Sequence, residues 1–142
     1  MTESPQCECI IDAHGLHEIS IISGNLKPLL MDLLKNGVIG IYNETWNEFS
    51  LLYEDEAAQI KPHFTKKFFL KEKHYIGAAS YADRLNSKFP RGAYDNNTDL
   101  YTATLAVMEK MQVLTISGRL GMYNSLGCPA EDLQTWLTHK SS

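Results

Sequence analysis

The sequence predicts a three-layer α/β/α domain built on a central, mainly parallel sheet. Three observations carry that expectation. Short apolar runs of strand character, at residues 8–12, 38–42 and 113–116, alternate with longer stretches of helical periodicity. Strands that alternate with helices pair in parallel and are covered on both faces. Lone acids stand at the edges of these elements, where the strands of such a sheet end and ligands bind.

The elements follow in order. Glu8 to Asp12 reads as a short buried strand bounded by Gly15. From Asn25 to Asn36, apolar residues fall at Leu26, Leu29, Leu30, Leu33 and Leu34, the stripe of an amphipathic helix. Asn36-Gly37 ends it with a residue suited to the left-handed cap. Val38 to Tyr42 is a second strand. Thr45 begins a helix that runs to about Ile60, before Pro62. A further helical region spans Phe68 to Asn86, in two pieces around Gly77, and Pro90-Arg91-Gly92 is a turn. Asp99 to Met111 is the next helix and Val113 to Ile116 the third strand. Gly118, Gly121, Gly127 and Pro129 mark loops, and Ala130 to Leu137 is a short last helix. No repeat, low-complexity tract or linker divides residues 1–142, which form one domain.

Composition bounds the function. The chain has 142 residues, 44% hydrophobic and 21% charged, which is ordinary globular composition. No apolar run approaches the roughly 20 residues of a membrane span. The first residues, Met-Thr-Glu-Ser-Pro, are not basic, so no secretory signal is expected. Three cysteines, Cys7, Cys9 and Cys128, point to reduced thiols and a cytoplasmic home. Cys7-x-Cys9 lacks the second pair that a structural zinc site needs. The net charge of −4 is unevenly spread: eight basic residues against two acids give +6 between Lys61 and Arg91 and leave −10 elsewhere. A basic segment on an acidic body suits a binder of phosphate backbones that also carries an acidic metal site.

Asp12, Glu48 and Asp99 are the candidate catalytic acids. Carboxylates at strand ends and helix starts can converge although far apart in sequence, and converging carboxylates repel unless a cation holds them. Hard oxygen ligands suit Mg²⁺ or Mn²⁺. Each acid also has a structural reading. Asp12 can cap the turn at Gly15. Glu48 can close a capping box with Thr45, with Glu44 then the fallback acid. Asp99 can simply favour a helix N-terminus. Ala103 and Ala106, on the same face as Asp99, let that helix approach the sheet closely. Asp95 is either a helix cap or a second acid on the rim.

At these residues the chain resembles the PIN domain family of small metal-dependent nucleases. The matching segments are Ile10-Ile11-Asp12-Ala13-His14, Glu48 in Trp-Asn-Glu-Phe, Asp99-Leu-Tyr-Thr-Ala-Thr-Leu-Ala, and the strand Val113-Leu-Thr-Ile-Ser117. Ser117 departs from the family, standing where a fourth acid is expected, and His14 replaces a more usual Asn, Thr or Ser. Ser117 can hold a metal-bound water but supplies no charge, and His14 can be a ligand, a proton donor or a structural residue.

The resemblance implies a Mg²⁺- or Mn²⁺-dependent endoribonuclease with Asp12, Glu48 and Asp99 holding the metal. It also implies a toxin of a toxin–antitoxin pair, with a homodimer and an antitoxin peptide over the acidic site. Lys66, Lys67, Lys71 and Lys73 are the candidate RNA-backbone contacts, and Tyr75, Tyr81 and Tyr94 either stack bases or lie half-buried. The alternative is a non-catalytic PIN-like module that binds RNA or a protein after losing an acidic ligand. A further alternative is another phosphate-handling α/β fold.

Overall fold

The computed structural model describes residues 7–88 and 97–141, with side chains at 7–80 and 100–141. The chain opens on β1 (Cys9–Ile11), turns at Asp12 into α1 (Ala13–Ile19), and continues through α2 (Leu26–Lys35) to β2 (Ile39–Tyr42). Two helices follow, α3 (Asn43–Leu52) and α4 (Glu54–Ile60), and then β3 (Lys67–Phe68). The long helix α5 (Glu72–Lys88) and α6 (Asn97–Met108) lead to β4 (Gln112–Thr115). A 3-10 turn at Ser117–Arg119, α7 (Leu120–Ser125), β5 (Ala130–Asp132) and α8 (Leu133–Ser141) complete it.

The five strands are all parallel in the order β3-β2-β1-β4-β5. The central strands are buried throughout, which is why they read as continuous apolar runs rather than alternating ones. Side-chain alternation divides the core. Cys9, Ile11, Ile39 and Ile41 face the layer of α1, α2, α3 and α8, where Leu16, Leu30, Phe49 and Leu137 are buried. Ile10, Tyr42 and Val113 face the opposite layer, where Ala103 and Ala106 of α6 are 0% exposed. The small face expected on this helix is thus the face that meets the sheet.

Several boundaries differ from the sequence reading. Gly15 lies inside α1 rather than ending a strand: a Cβ there would stand 2.7 Å from the Leu114 carbonyl oxygen, so glycine is what lets α1 dock on β4. The expected helix from Thr45 to Ile60 starts at Asn43 and breaks at Tyr53, whose backbone (φ −133°, ψ 63°) leaves the helical region. Helix α5 passes through Gly77 without interruption, and glycine there makes room for the Met108 sulfur. The final segment is a strand before it is a helix: the Asp132 carboxylate accepts the Thr135 N–H at 3.1 Å and caps α8. The helix end at Asn36-Gly37 forms as expected, with Gly37 at φ 75° and Val38 N–H bonded to the Leu33 carbonyl. Pro90-Arg91-Gly92 lies outside the described residues.

Strand β1 connects to β2 on one side, and the chain returns from β3 to β4 on the other. The carboxyl ends of β1 and β4 are therefore the switch point of the sheet, where open α/β folds bind ligands. No described helix is long and apolar enough to cross a membrane.

Candidate functional site

Asp12 is the first residue past β1 and is 0% exposed. Its carboxylate caps α1, with Oδ1 accepting the Gly15 N–H at 2.8 Å. Oδ2 accepts the Thr115 hydroxyl at 2.7 Å and the Tyr123 phenol at 2.6 Å. A buried carboxylate is tolerated when donors of this kind surround it. The structural reading of Asp12 holds: it caps α1, and it does so from the switch point of the sheet. Thr115, the last residue of β4, and Tyr123 on α7 were not singled out in the sequence. The threonine falls within the Val-Leu-Thr-Ile-Ser motif; the tyrosine carried no local signal.

The surroundings of Asp12 are mixed in charge. His14, on the first turn of α1, has its pKa lowered by burial and by the nearby Arg119 guanidinium, against the opposing pull of Asp12. Arg119 sits in the 3-10 turn after β4 and its Nη2 lies 3.5 Å from the Met122 sulfur. Ser117, two residues beyond the end of β4, is exposed.

Glu48 is exposed on α3. Its capping-box reading fails, because Thr45 is the third residue of α3 and not its cap. Thr45 is instead buried, 3.5 Å from the Thr102 hydroxyl of α6. Glu48 follows that contact by one turn on α3, and Asp99 precedes it by one turn on α6. Asp99 thus belongs to the first turn of α6, as expected, but its side chain lies outside the described residues, as does Asp95 altogether. Burial, and then the charges of Glu44, Tyr75, Tyr101 and Glu48, push the Tyr42 phenol up to about 12. Both glutamates of α3 thus act on the end of β2.

The basic segment leaves the sheet at this same end. Lys67 and Phe68 pair with Ile41 and Tyr42, the last residues of β2, so β3 stands two strands, roughly 10 Å, from β1. Lys66, Lys67, Lys71 and Lys73 are all exposed. The Lys66 ammonium rests over Phe68 and that of Lys67 over Trp46, at 5.3 and 5.5 Å. Lys73 pairs with Glu109 at 3.2 Å. Tyr75 is 54% exposed and packs edge-on against Tyr101 at 5.8 Å. Tyr81 and Tyr94 lie outside the described side chains. All three cysteines are free, and burial pushes the Cys9 and Cys128 thiols up to about 12, far from thiolate ligands.

The hard oxygen donors here fit a single divalent ion in kind. Asp12 keeps one lone pair on Oδ1, with Glu48 and Asp99 on the adjoining helices. They do not fit a two-metal cluster, since Ser117 is uncharged and Arg119 is positive. Among the described residues no three His, Cys, Asp or Glu side chains gather closely enough to hold a metal.

Neither a family model nor a curated protein matches the chain. Among solved structures it is similar to a chain in a structure of FitAB bound to an IR36 DNA fragment. The two share 17% identity and a TM-score of 0.57, over 87% of this chain and 94% of that one. That likeness supports a PIN-like fold, and the all-parallel sheet between helical layers is consistent with the three-layer PIN-like architecture.

Proposed function

We propose that this chain is a PIN-type endoribonuclease that uses one Mg²⁺ or Mn²⁺ ion. The observation that carries the reading is Asp12, a buried carboxylate fixed at the switch point of a PIN-like sheet. In this reading Asp12 offers Oδ1, and Glu48 and Asp99 complete the acidic ligands. When bound, the ion supplies Lewis-acid stabilisation to the phosphate and lowers the pKa of an attacking water. The exposed lysines at the end of β3 bind the RNA backbone, and Arg119 offsets charge at the crevice mouth. Tyr75, exposed beside them, offers a face to an unpaired base. His14 and Ser117 line the entrance as accessory residues.

The partners follow from the same reading: RNA, an antitoxin protein and a second copy of the chain, in the cytoplasm. FitAB bound to DNA supports a protein partner for a fold of this kind. The test is Mn²⁺-dependent cleavage of single-stranded RNA. Wild type cleaves, chelator stops it, and folded Asp12→Asn, Glu48→Gln and Asp99→Asn each lose at least about a hundredfold, the scale of a lost charge-stabilising group.

A specific observation favours a second reading, a non-catalytic PIN-like binder of RNA or protein. Asp12 already accepts three hydrogen bonds, and the neighbouring His14 feels the cationic Arg119 more strongly than Asp12. RNA binding that is unchanged by chelator, without cleavage, selects this reading.

A further inference from the structure

His74, on the first turn of α5, is 2% exposed, and the function above gives it no role. We propose that His74 positions the lysines at the start of α5 for an RNA backbone, and that it releases Lys73 from Glu109 when its imidazole takes up a proton. The inference rests on the RNA reading of the basic edge.

The two ring nitrogens stand in different surroundings. Nδ1 accepts the Lys71 backbone N–H at 2.9 Å, so Nδ1 carries no proton and Nε2 does. This is half of a capping box: Lys71 directly precedes α5, and the side chain three residues on satisfies its N–H. Nε2 is buried and has no hydrogen-bond partner among the described residues. It stands 3.8 Å from Glu109 Oε2, within ion-pair range but too long for a hydrogen bond. That same oxygen is held by the Lys73 ammonium at 3.2 Å. A buried N–H without an acceptor is costly and calls for an explanation. Here it stands beside a carboxylate that becomes its partner once the ring is charged.

Protonation has two effects. The proton comes from water and binds Nδ1, so the hydrogen bond from the Lys71 N–H breaks and α5 loses that cap. The ring also becomes cationic where little water reaches it, and the nearby Glu109 charge acts on it strongly. Glu109 is then shared between His74 and Lys73. Lys73, whose side chain is 53% exposed, is the partner that can leave. Among the described residues, the charged groups facing His74 are Glu109, just past α6, and Lys71 and Lys73 at the start of α5. The lysines oppose the proton and Glu109 favours it. A phosphate that takes up Lys73 offsets one opposing charge, so RNA and the proton each favour binding of the other.

Histidine ordinarily titrates between pH 5 and 8, where carboxylates stay ionised. The test is fluorescence anisotropy of a labelled single-stranded RNA with wild type, His74→Asn and Glu109→Gln, at pH 8 and pH 5.5 and at several salt concentrations. Asparagine places an amide oxygen near the position of Nδ1, so it can accept the Lys71 N–H but takes no proton. Wild type is expected to bind about fivefold more tightly at pH 5.5 in 0.1 M salt, with a salt slope steeper by about 0.7, the value for one more phosphate neutralised on a single strand. His74→Asn is expected to lose that gain, since the other histidines act alike in both proteins. Glu109→Gln frees Lys73 at any pH and is expected to show at pH 8 the slope that wild type reaches only at pH 5.5. It also carries the test if His74→Asn does not fold. A histidine with a packing role alone would change affinity equally at both pH values. Equal pH profiles for wild type and folded His74→Asn, or a Glu109→Gln slope unchanged at pH 8, overturn the proposal and leave RNA binding intact. No RNA binding by any of the three at either pH overturns the RNA reading and the proposal with it.

Discussion

Thr115 and Asp12 lie 103 residues apart in the chain and meet at 2.7 Å, the hydroxyl donating to Oδ2. One hydrogen bond thus ties the end of β4 to the end of β1, beside the backbone bond from Asp12 N–H to the Leu114 carbonyl. Closure of the switch point depends on both strands stopping in register, which Ile11 opposite Leu114 provides.

Thr115→Val replaces the hydroxyl with a methyl of similar shape. Asp12 keeps its other two donors, so the charge is not abandoned. The expected cost is about 2 kcal/mol, that of a hydrogen bond to a charged group. Urea unfolding of both proteins measures it, and a loss below about 0.5 kcal/mol would mean that this bond is replaceable by neighbours or water.

Gly15→Ala tests the docking of α1. Alanine favours a helix interior over glycine by about 1 kcal/mol. Here the added Cβ would meet Ile11 Cγ1 at 2.6 Å and the backbone carbonyl of Leu114 at 2.7 Å, and backbone cannot move aside as a flexible side chain can. Overpacking of this kind costs about 1–3 kcal/mol. It also shifts the N–H that Asp12 accepts. The variant should therefore be less stable than wild type by about 2 kcal/mol and should gain nothing from its helix propensity. A stabilised Gly15→Ala would show that α1 does not sit this close to β4.

Gly15 also shows where sequence reading stops. A glycine after an apolar run and an acid reads as a turn, and only the Leu114 carbonyl, 99 positions later, explains why it stands inside a helix. What was legible depended on local periodicity or an apolar run: β1, β2 and β4, the stripe of α2 with Leu30 and Leu34 buried, and the alanine face of α6. Edge strands β3 and β5, of two and three residues, are too short and too polar to show a pattern. The break at Tyr53 lacks glycine or proline and gave no sign. At the site, Asp12 was legible because an acid that closes a buried run needs a partner. Tyr123, its partner, was not, since it lies in a segment whose glycines read only as loop.

The Lys73–Glu109 pair carries a pH dependence of known sign. The hydrogen bond from Lys73 holds the Glu109 carboxyl below its ordinary range; burial opposes it, and the charges of Lys73, His74 and Lys71 add to the lowering. A depressed carboxyl pKa contributes stability above the unfolded value, near 4.3, and loses it as pH falls through the folded value. The pair is exposed, so its contribution is small. Lys73→Met should be slightly less stable than wild type at pH 7, and the difference should shrink as pH falls below the unfolded value and disappear once Glu109 is protonated in the fold as well. A difference that does not shrink with falling pH would assign the effect to lost packing of the lysine stem.

Lys67 and Lys71 are exposed at the carboxyl end of the sheet, whereas Lys73 is held by Glu109. If the first two bind RNA phosphates, reversal to Glu should weaken binding across unrelated sequences. It should also lower the slope of log affinity against log salt by about 0.7 for each phosphate no longer neutralised on a single strand. Fluorescence anisotropy at several salt concentrations reads both. Equal slopes for wild type and Lys67→Glu/Lys71→Glu would make this edge an ordinary solvated surface.

Ser117→Asp tests whether the crevice has a vacated ligand position. Ser117 is exposed, two residues after Thr115 and two before Arg119. A carboxylate here adds negative charge near Asp12 and lies within reach of the Arg119 guanidinium. Without metal, repulsion from Asp12 opposes attraction to Arg119, so the variant should be no more stable than wild type. With Mn²⁺, a fourth acid should tighten binding. A ligand held only by the folded state raises its stability by mass action, so tenfold tighter binding adds about 1.4 kcal/mol at saturation. For a domain of this size that amounts to about 4 °C in Tm. The measurement is Tm of both proteins with and without Mn²⁺. An equal metal response in the two would mean that residue 117 faces away from Asp12. A larger response in Ser117→Asp, removed by adding Asp12→Asn, would place both residues on one ion.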